Sequence, residues 1–263
     1  MTERTRMPVI AALLLGLYLA ALYGPVLLLP LFSFNDNIYT VFPLSGFTLK
    51  WYQQLGREVP LLHALEASLK VGLAVALIGT VFGFLAAKAM TRYRIPGRRL
   101  IYAFLLVPLV VPPIIKGASL LSFFRQYLDV QLSLWTVGAA HVMVAVPFAM
   151  LVLIARLESF DRNLEEASAD LGMSAWQTFY RITFPLALPG ILSSLLLCFI
   201  VSFDEFMLAF FLSGNEPTLP IYMFGLLRFP DSMPIIVALG TAILAGSVVI
   251  ITATELLRGG RAR

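Results

Sequence analysis

The chain has 263 residues, of which 59% are hydrophobic and only 13% are charged. Soluble domains are about half apolar and a quarter charged, so this composition and the mean hydropathy of +0.88 exclude an ordinary water-soluble domain. The formal charge of +4 does not indicate nucleic-acid binding, because the basic residues fall in short connections between apolar runs. The single cysteine, Cys198, excludes an intrachain disulfide and a cysteine metal cluster.

Six apolar runs match the roughly 20 residues that a helix needs to cross a bilayer. The first is too long for a signal-peptide core and lacks a clear cleavage site, so we count it as a span. The third contains Pro108, Pro112 and Pro113 and predicts a kinked helix. In chain order, the predicted spans are Pro8–Phe32, Leu69–Met90, Leu100–Ile115, Leu132–Ile154, Leu188–Leu212 and Ile235–Leu256.

The distribution of Lys and Arg predicts the orientation of the chain. With both termini cytoplasmic, 13 of the 19 basic residues lie inside, including Arg4, Arg6 and the tail from Arg258 to Arg263. Cytoplasmic connections of membrane proteins carry such an excess of positive charge. We therefore predict an all-α integral membrane protein with about six transmembrane helices and both termini cytoplasmic, forming a single transmembrane domain over residues 1–263.

The only sizeable cytoplasmic connection is the loop of residues 156–189. No connection has room for a nucleotide-binding domain, and the chain contains no GxxxxGK[ST] phosphate-binding motif. We predict that the chain is not an enzyme and holds no cofactor or metal. If ATP drives this protein, ATP and Mg are bound by another chain.

The cytoplasmic loop predicts two short helices. Asn163 or Asp161 caps the first, and Asn163 with Glu166 resembles a capping box; Gly172 then ends that helix with a left-handed turn. Ser174 begins the second helix, with Gln177 in the same capping relation. We expect Pro185 and Pro189 to stop the second helix before the fifth span.

Two environments are open for this helix pair. It can lie under the lipid headgroups, where basic residues are favoured on the polar side, or it can dock on a protein. The pair carries Glu165, Glu166 and Asp170, a face that anionic lipid repels. The sequence therefore favours a protein partner.

The loop also resembles the EAA loop of ABC importer permeases, whose pattern is EAA, three residues, Gly, nine residues and I-x-L-P. The spacing is kept from Glu166 to Pro185, with Ser168 in place of the second Ala and Phe184 in place of the Leu. The resemblance implies that the loop forms coupling helices seated in a cleft of an ATPase, with Glu166, Ala167 and Gly172 as the main contacts. The coupling residues that it implies are Glu166, Ala167, Ser168, Gly172, Ile182 and Pro185.

Over nearly its whole length the chain is similar to permeases of spermidine/putrescine importers. The segments that carry this similarity are Ser33-Phe34-Asn35, Gly46-Phe47-Thr48 to Trp51-Tyr52, Ser68-Leu69 and Ser202-Phe203-Asp204-Glu205. The resemblance implies a type I importer permease fold in the bacterial cytoplasmic (inner) membrane and polyamine import. The implied partners are a second homologous permease in a heterodimer, an ATP-binding subunit dimer and an extracytoplasmic substrate-binding protein.

Candidate substrate-path residues follow from charge and aromaticity. Asp204 and Glu205 stand in the fifth apolar run, where carboxylates are costly unless they line a water-filled path or pair with a cation. Ser202 is a neighbour that equally well bonds its own backbone. Trp51 and Tyr52 offer aromatic faces to an alkylammonium ion, or anchor the chain at the membrane interface.

Several alternatives stay open at this point. Asp204 and Glu205 can instead pair with Lys70 or Lys116, or mark a helix end near the outer interface. The stretch before Lys116 lacks an acidic residue found in some spermidine permeases, so an amino acid derivative or an aminophosphonate is an alternative substrate. His63 and His141 are lone histidines without metal spacing.

Two other classes of protein are disfavoured. A secondary transporter needs an internal repeat, and none is evident in the six spans. An intramembrane serine protease needs a nucleophile and a base, and Ser119 with His141 lacks the surrounding G-x-S-G pattern.

Overall fold

The computed structural model describes residues 9–259, with side chains described over 11–249 and at 252. Of the predicted cytoplasmic tails, Arg4, Arg6, Arg261 and Arg263 lie outside the described residues, so the orientation of the termini stays a prediction. Regular structure between residues 9 and 259 is helical, apart from an isolated bridge between Asn35 and Phe47.

The described residues form twelve α-helices joined by short turns. They include two π-helical turns, Phe123–Tyr127 and Phe179–Thr183, and a 3₁₀ turn, Pro230–Ser232. The helices are α1 Val9–Ser33, α2 Lys50–Leu55, α3 Val59–Arg92, α4 Arg98–Val110, α5 Pro113–Ser122, α6 Leu134–Glu158, α7 Asn163–Asp170, α8 Ala175–Thr178, α9 Phe184–Phe203, α10 Met207–Leu212, α11 Leu219–Leu226 and α12 Met233–Gly259.

Five helical segments of the described chain are long and apolar enough to cross a membrane, and α4 with α5 makes a sixth if the bent pair is one span. The bend between α4 and α5 is 98°. It follows Val110, at the prolines Pro112 and Pro113, which confirms the kink predicted for the third span. The number of spans and the helical fold therefore agree with the sequence.

The fifth predicted span, Leu188–Leu212, was wrong at both ends. A continuous helical segment of 29 residues runs from Ala175 to Phe203, and α10 follows only after a break at residues 204–206. Pro185 and Pro189 do not stop the helix. The π-helical turn before α9 takes up one extra residue, with Phe184 N–H donating to Phe179 O, so that Pro185 falls in the first turn of α9, where proline is tolerated.

The described residues divide into two compact units, residues 9–61 with 223–259, and residues 62–222. In the first unit, α12 packs against α1 and α2. The connection between α1 and α2 is held by backbone bonds from Asp36 N–H to Gly46 O (3.0 Å) and from Thr48 N–H to Phe34 O (2.8 Å). An ion pair between Lys50 and Asp36 closes the same connection.

The core of the second unit lies where α3, α6 and α9 meet. Gly79 and Gly83 of α3 face Ala145 and Ala149 of α6, four residues apart on each helix. Small residues at this spacing let two transmembrane helices approach closely, and van der Waals packing is what holds such helices together in lipid. The close approach is strict at Gly83, because a Cβ atom there would overlap the Ala149 side chain and the Met150 nitrogen.

A second close approach fixes α9 against the C-terminal half of α6. Arg156 Nε donates a hydrogen bond to Leu186 O at 2.9 Å. Gly190 leaves room for the Arg156 stem, which an added Cβ would strike at 2.6 Å. The base of α9 is thereby clamped by a side chain of α6.

We predict that Gly83→Ala destabilises the folded protein by about 1–3 kcal/mol, the usual cost of overpacking. Gly138→Ala is the matched control, because a Cβ atom at Gly138 meets nothing within 4 Å. Thermal unfolding of the purified protein in detergent measures both. Equal melting temperatures for the two variants would contradict the packing of α3 on α6.

Candidate functional site

The start of α7 is capped by Asp161, one of the two residues that the sequence offered for this role. Asp161 Oδ1 accepts a hydrogen bond from Asn163 N–H at 2.9 Å, and Asn163 is the first residue of the helix rather than its cap. The residue before α7, Arg162, makes no side-chain capping bond. The predicted capping box of Asn163 and Glu166 was therefore wrong, whereas the alternative cap, Asp161, satisfies the helix start.

The end of α7 is the left-handed turn that the sequence predicts at Gly172, whose φ is +81°. Met173 N–H donates to Ser168 O at 3.1 Å, and Gly172 N–H donates to Ala169 O at 2.9 Å. This pair of bonds is the Schellman arrangement, which satisfies the last free carbonyls of a helix and requires positive φ at the glycine position.

The start of α8 is the predicted capping box. Ser174 Oγ accepts from Gln177 N–H at 3.3 Å, and Gln177 Oε1 accepts from Ser174 N–H at 2.9 Å. Both ends of the turn between α7 and α8 are thus fixed by local hydrogen bonds, as a rigid docking element requires.

A buried ion pair that the sequence analysis missed anchors α7 to the membrane helices. Arg92 Nε, at the end of α3, lies 2.6 Å from Glu165 Oε2, with side-chain exposures of 9% and 16%. The contact is electrostatic, since the Nε–H group is not aligned for a hydrogen bond. Thr183 Oγ1 donates to the other oxygen of Glu165 at 2.6 Å, and Arg92 also donates to Leu157 O at 2.9 Å. Glu165 therefore joins α7, α3 and the π-helical turn.

Ser168, one of the two departures from the EAA pattern, faces inward. It is 3% exposed, and its hydroxyl lies 2.8 Å from Thr178 Oγ1 and 3.2 Å from Met173 Sδ. The polar group is satisfied by a polar partner on α8, so this serine joins the two helices of the loop.

The other predicted coupling residues differ in exposure. Glu166, Ala167, Gly172 and Pro185 are exposed, and Ile182 is half-buried. Among the described residues, the ion pair of Glu166 is with Arg162, one turn earlier in the chain, at 3.2 Å. Beside them, large apolar side chains of the loop are exposed, a set that we call the exposed loop face: Leu164, Leu171 and Tyr180.

The two carboxylates of the substrate-path prediction lie in the break between α9 and α10, not inside a helix. Asp204 ends α9, donating its N–H to Ile200 O at 3.1 Å, and its side chain is exposed. Glu205 Oε1 accepts from Leu208 N–H at 3.1 Å and so serves the free donors at the start of α10. Of the alternatives, a position at a helix end describes both residues. Asp204 is exposed, whereas Glu205 is half-buried and bonded to the start of α10.

Neither lysine considered as a partner forms an ion pair with Asp204 or Glu205 in the described residues. Lys70 pairs with Glu66 at 2.7 Å. Lys116 is 9% exposed and donates from Nζ to Pro108 O at 2.8 Å. That carbonyl has lost its helical donor, because the residue four positions on, Pro112, has no N–H.

Ser202 takes part in a buried contact with α6. Its Oγ lies 2.9 Å from His141 Nδ1, and both residues are buried. His141 Nε2 has no hydrogen-bond partner within the part of the chain that the structure describes. The contact ties the last turn of α9 to α6, directly before the break at Asp204.

Trp51 and Tyr52 belong to the first unit and are engaged there. Trp51 is 7% exposed, its Nε1 donates to Asn35 O at 2.9 Å, and Lys50 Nζ stands 4.4 Å from its ring centroid. The Tyr52 hydroxyl lies 2.6 Å from Ser33 Oγ. These contacts hold α2 against the end of α1 and the connection that follows it. A role of Trp51 and Tyr52 in the substrate path stays a prediction.

Comparison with known proteins identifies the family. The family model described as the inner membrane component of binding-protein-dependent transport systems matches residues 79–260. The chain belongs to this family. As a member of the binding-protein-dependent inner-membrane components, it is a multi-pass permease subunit of the inner membrane that works with a binding protein.

Curated relatives are similar over nearly the whole chain. The spermidine/putrescine transport system permease protein PotC of Escherichia coli K12 is 32% identical over 253 residues, covering 94% of this chain and 95% of PotC. The putrescine transport system permease protein PotI of the same organism is 34% identical over 243 residues, covering 89% and 85%.

Solved structures show the same fold. A bacterial ABC transporter that imports the acidic polysaccharide alginate has a chain with a TM-score of 0.71 at 15% identity, covering 95% of this chain and 94% of its own. The MetNI methionine ABC transporter in inward-facing conformations gives 0.55 at 20% identity, covering 79% and 99%. The binding-protein-dependent permease therefore has the fold of ABC importer permeases.

We predict that Glu165→Gln destabilises the loop by about 3 kcal/mol, because it leaves Arg92 buried without its counter-charge. Glu166→Gln is the matched control. Its ion pair with Arg162 is exposed and spans one helical turn, and such pairs contribute about 0.3–0.5 kcal/mol. Limited proteolysis of residues 156–189 in the purified protein measures the difference. Equal cleavage rates for the two variants would contradict the anchoring role of Glu165.

Proposed function

We propose that this permease subunit carries polyamines, of the spermidine and putrescine class, across the inner membrane, and that a separate ATPase drives it through the α7–α8 loop. The observation that carries the substrate side is the exposed carboxylate of Asp204, which has no ion pair among the described residues and lies in the break of the fifth span. The relatives named as spermidine/putrescine and putrescine permeases support the same class of substrate.

The loop has the two properties that a coupling element needs. One side is fixed, through Arg92 with Glu165 and through Ser168 with Thr178. The other side exposes Ala167, Gly172 and the exposed loop face. A docked partner covers apolar side chains such as Leu171, 81% exposed, and a rigid element can bias one conformation of the membrane helices over another.

The break has the charge that a polyamine needs. Glu205 is committed to the start of α10, which leaves the Asp204 carboxylate free to accept charge-assisted hydrogen bonds from a primary ammonium. Lys116 offsets only one of the two carboxylate charges, and its ammonium donates to Pro108 O and forms no ion pair with Asp204 in the described residues. The three groups together carry one net negative charge, which favours a cation.

The proposed assembly contains this chain, a second homologous permease, two ATP-binding subunits that hold ATP and Mg, and an extracytoplasmic binding protein. The solved alginate transporter in complex with its alginate pentasaccharide-bound periplasmic protein, 16% identical with a TM-score of 0.71, has a chain of the same fold. It supports the kind of partner rather than its identity.

For coupling, we predict that Ala167→Arg leaves the permease folded in the membrane and lowers co-purification of the ATPase at least tenfold. The residue is exposed on α7 and arginine suits a helix, so the long side chain obstructs docking without a folding cost. Glu158→Arg, exposed at the end of α6 and outside the loop helices, is the control. Normal ATPase recovery with Ala167→Arg would refute the docking surface.

For transport, we predict that Asp204→Asn lowers uptake of labelled spermidine or putrescine about tenfold in proteoliposomes containing the whole importer, with assembly unchanged. The amide keeps the shape and removes the charge that holds an ammonium. Glu205→Gln is the comparison variant. It keeps an oxygen for Leu208 N–H, and we expect it to lower uptake less than Asp204→Asn does, because the Glu205 side chain serves the start of α10.

Two outcomes would count against the transport role. Normal uptake by Asp204→Asn would mean that this carboxylate does not meet the substrate. Calorimetry that finds the cognate binding protein binding an amino acid derivative or an aminophosphonate, and no polyamine, would replace the substrate class and leave the coupling mechanism intact.

A further inference from the structure

An apolar groove of about 450 Å³ runs in the second unit between α3 and the helix that continues from α8 into α9. Its volume lies in the range of ordinary ligand pockets. The walls are aliphatic and aromatic, and the described lining contains a single cation, Lys88, near the coupling loop. The apolar lining residues are Val81, Phe84, Leu85, Phe179, Phe184 and Ile191.

The position of Lys88 along α3 matches the depth of lipid headgroups. The 34 residues of α3 extend about 51 Å, whereas a hydrocarbon core is about 30 Å thick. Lys88 lies four residues, or about 6 Å, from the end of α3, so the groove extends from the headgroup level into the acyl-chain region. Trp176, 72% exposed, lines the same end, and tryptophan is enriched at this interface.

Lys88 carries a charge that the surrounding residues do not neutralise. Its ammonium stands 4.9 Å from the ring centroid of Phe179, and it has no ion pair among residues 11–249. The adjoining polar groove contains two carboxylates, but Glu165 is paired with Arg92, and Glu166 is paired with the arginine directly before α7.

We propose that this groove binds an anionic phospholipid of the leaflet on the coupling-loop side, with an acyl chain between α3 and α9 and the phosphate on Lys88. Charge complementarity selects this occupant. An apolar helix from a partner protein would fill the groove and leave the ammonium of Lys88 without a counter-charge at the membrane surface, whereas an anionic lipid satisfies both parts of the site.

The chain supplies its own comparison site. A second apolar groove, between α3 and α6, has Lys70 and Trp135 at its rim. There the ammonium is already paired with Glu66 at 2.7 Å, so the groove has no unmet demand for an anion. A preference for anionic lipid should therefore depend on Lys88 and not on Lys70.

Native mass spectrometry of the full-length permease, released from nanodiscs of equal parts phosphatidylglycerol and phosphatidylcholine, tests the site. The wild-type protein retains phosphatidylglycerol preferentially. Lys88→Gln lowers that retention about fivefold, the factor expected from about 1 kcal/mol per basic residue at an anionic membrane surface. Phosphatidylcholine retention stays the same, and Lys70→Gln matches the wild type. Excess inorganic phosphate leaves the lipid bound, which distinguishes a lipid from a free anion.

A second variant keeps the test decisive if Lys88→Gln folds poorly. Val81→Trp fills the groove from an exposed position and lowers retention of both lipids. The proposal is overturned if Lys88→Gln and the wild type retain equal phosphatidylglycerol, if inorganic phosphate displaces the lipid, or if Val81→Trp retains as much lipid as the wild type. Photocrosslinking at position 81 to the second permease instead of to lipid overturns it as well.

Discussion

Inside a bilayer every broken helix must satisfy its free backbone groups with protein atoms, because lipid offers none. Two breaks in the second unit meet this constraint with charged side chains. Lys116 donates to the carbonyl that Pro112 cannot serve, and Glu205 accepts from the first turn of α10. The segments beyond the breaks, α5 and α10, pack together, and Gly117 allows the contact with Phe211. Lys116 and Glu205 are therefore explained by the backbone groups that they satisfy at the two breaks. The Asp204 carboxylate has no such role among the described residues, so it is available to a substrate.

The α7–α8 loop, at the opposite end of the helical segment that leads to Asp204, also satisfies its free backbone groups with protein atoms. Its turn is closed by backbone bonds at Gly172 and by the box at Ser174, so the two short helices hold their angle without a partner. The tertiary anchors are polar contacts under that turn, Arg92 with Glu165 and Ser168 with Thr178. Polar groups buried in pairs fix an arrangement, and the apolar side chains are left outside, where a partner can cover them.

What the sequence predicted well was local. The turn at Gly172, the box from Ser174 to Gln177 and the bend at the prolines of the third span depend on neighbouring residues, and the structure confirms them. What it missed depends on distant residues. Arg92 and Glu165 are 73 positions apart, and no spacing rule joins them. The chain offered two candidate caps for α7, and hydrogen-bond geometry chose Asp161 over Asn163.

Pro185 and Pro189, near the start of the fifth span, decide whether the coupling loop and the span form one helix. Proline was expected to separate the coupling helix from the span, but the π-helical turn absorbs Pro185 and the helical segment continues for 29 residues, about 43 Å. One end of this segment carries Tyr180 of the exposed loop face, and the other end carries Ser202 and the break at Asp204. A displacement of the loop is therefore carried to the break at Asp204 along a single continuous helical segment. Arg156 of α6 donates to Leu186 O just after the π-helical turn, so α6 contacts this segment between the loop and the break.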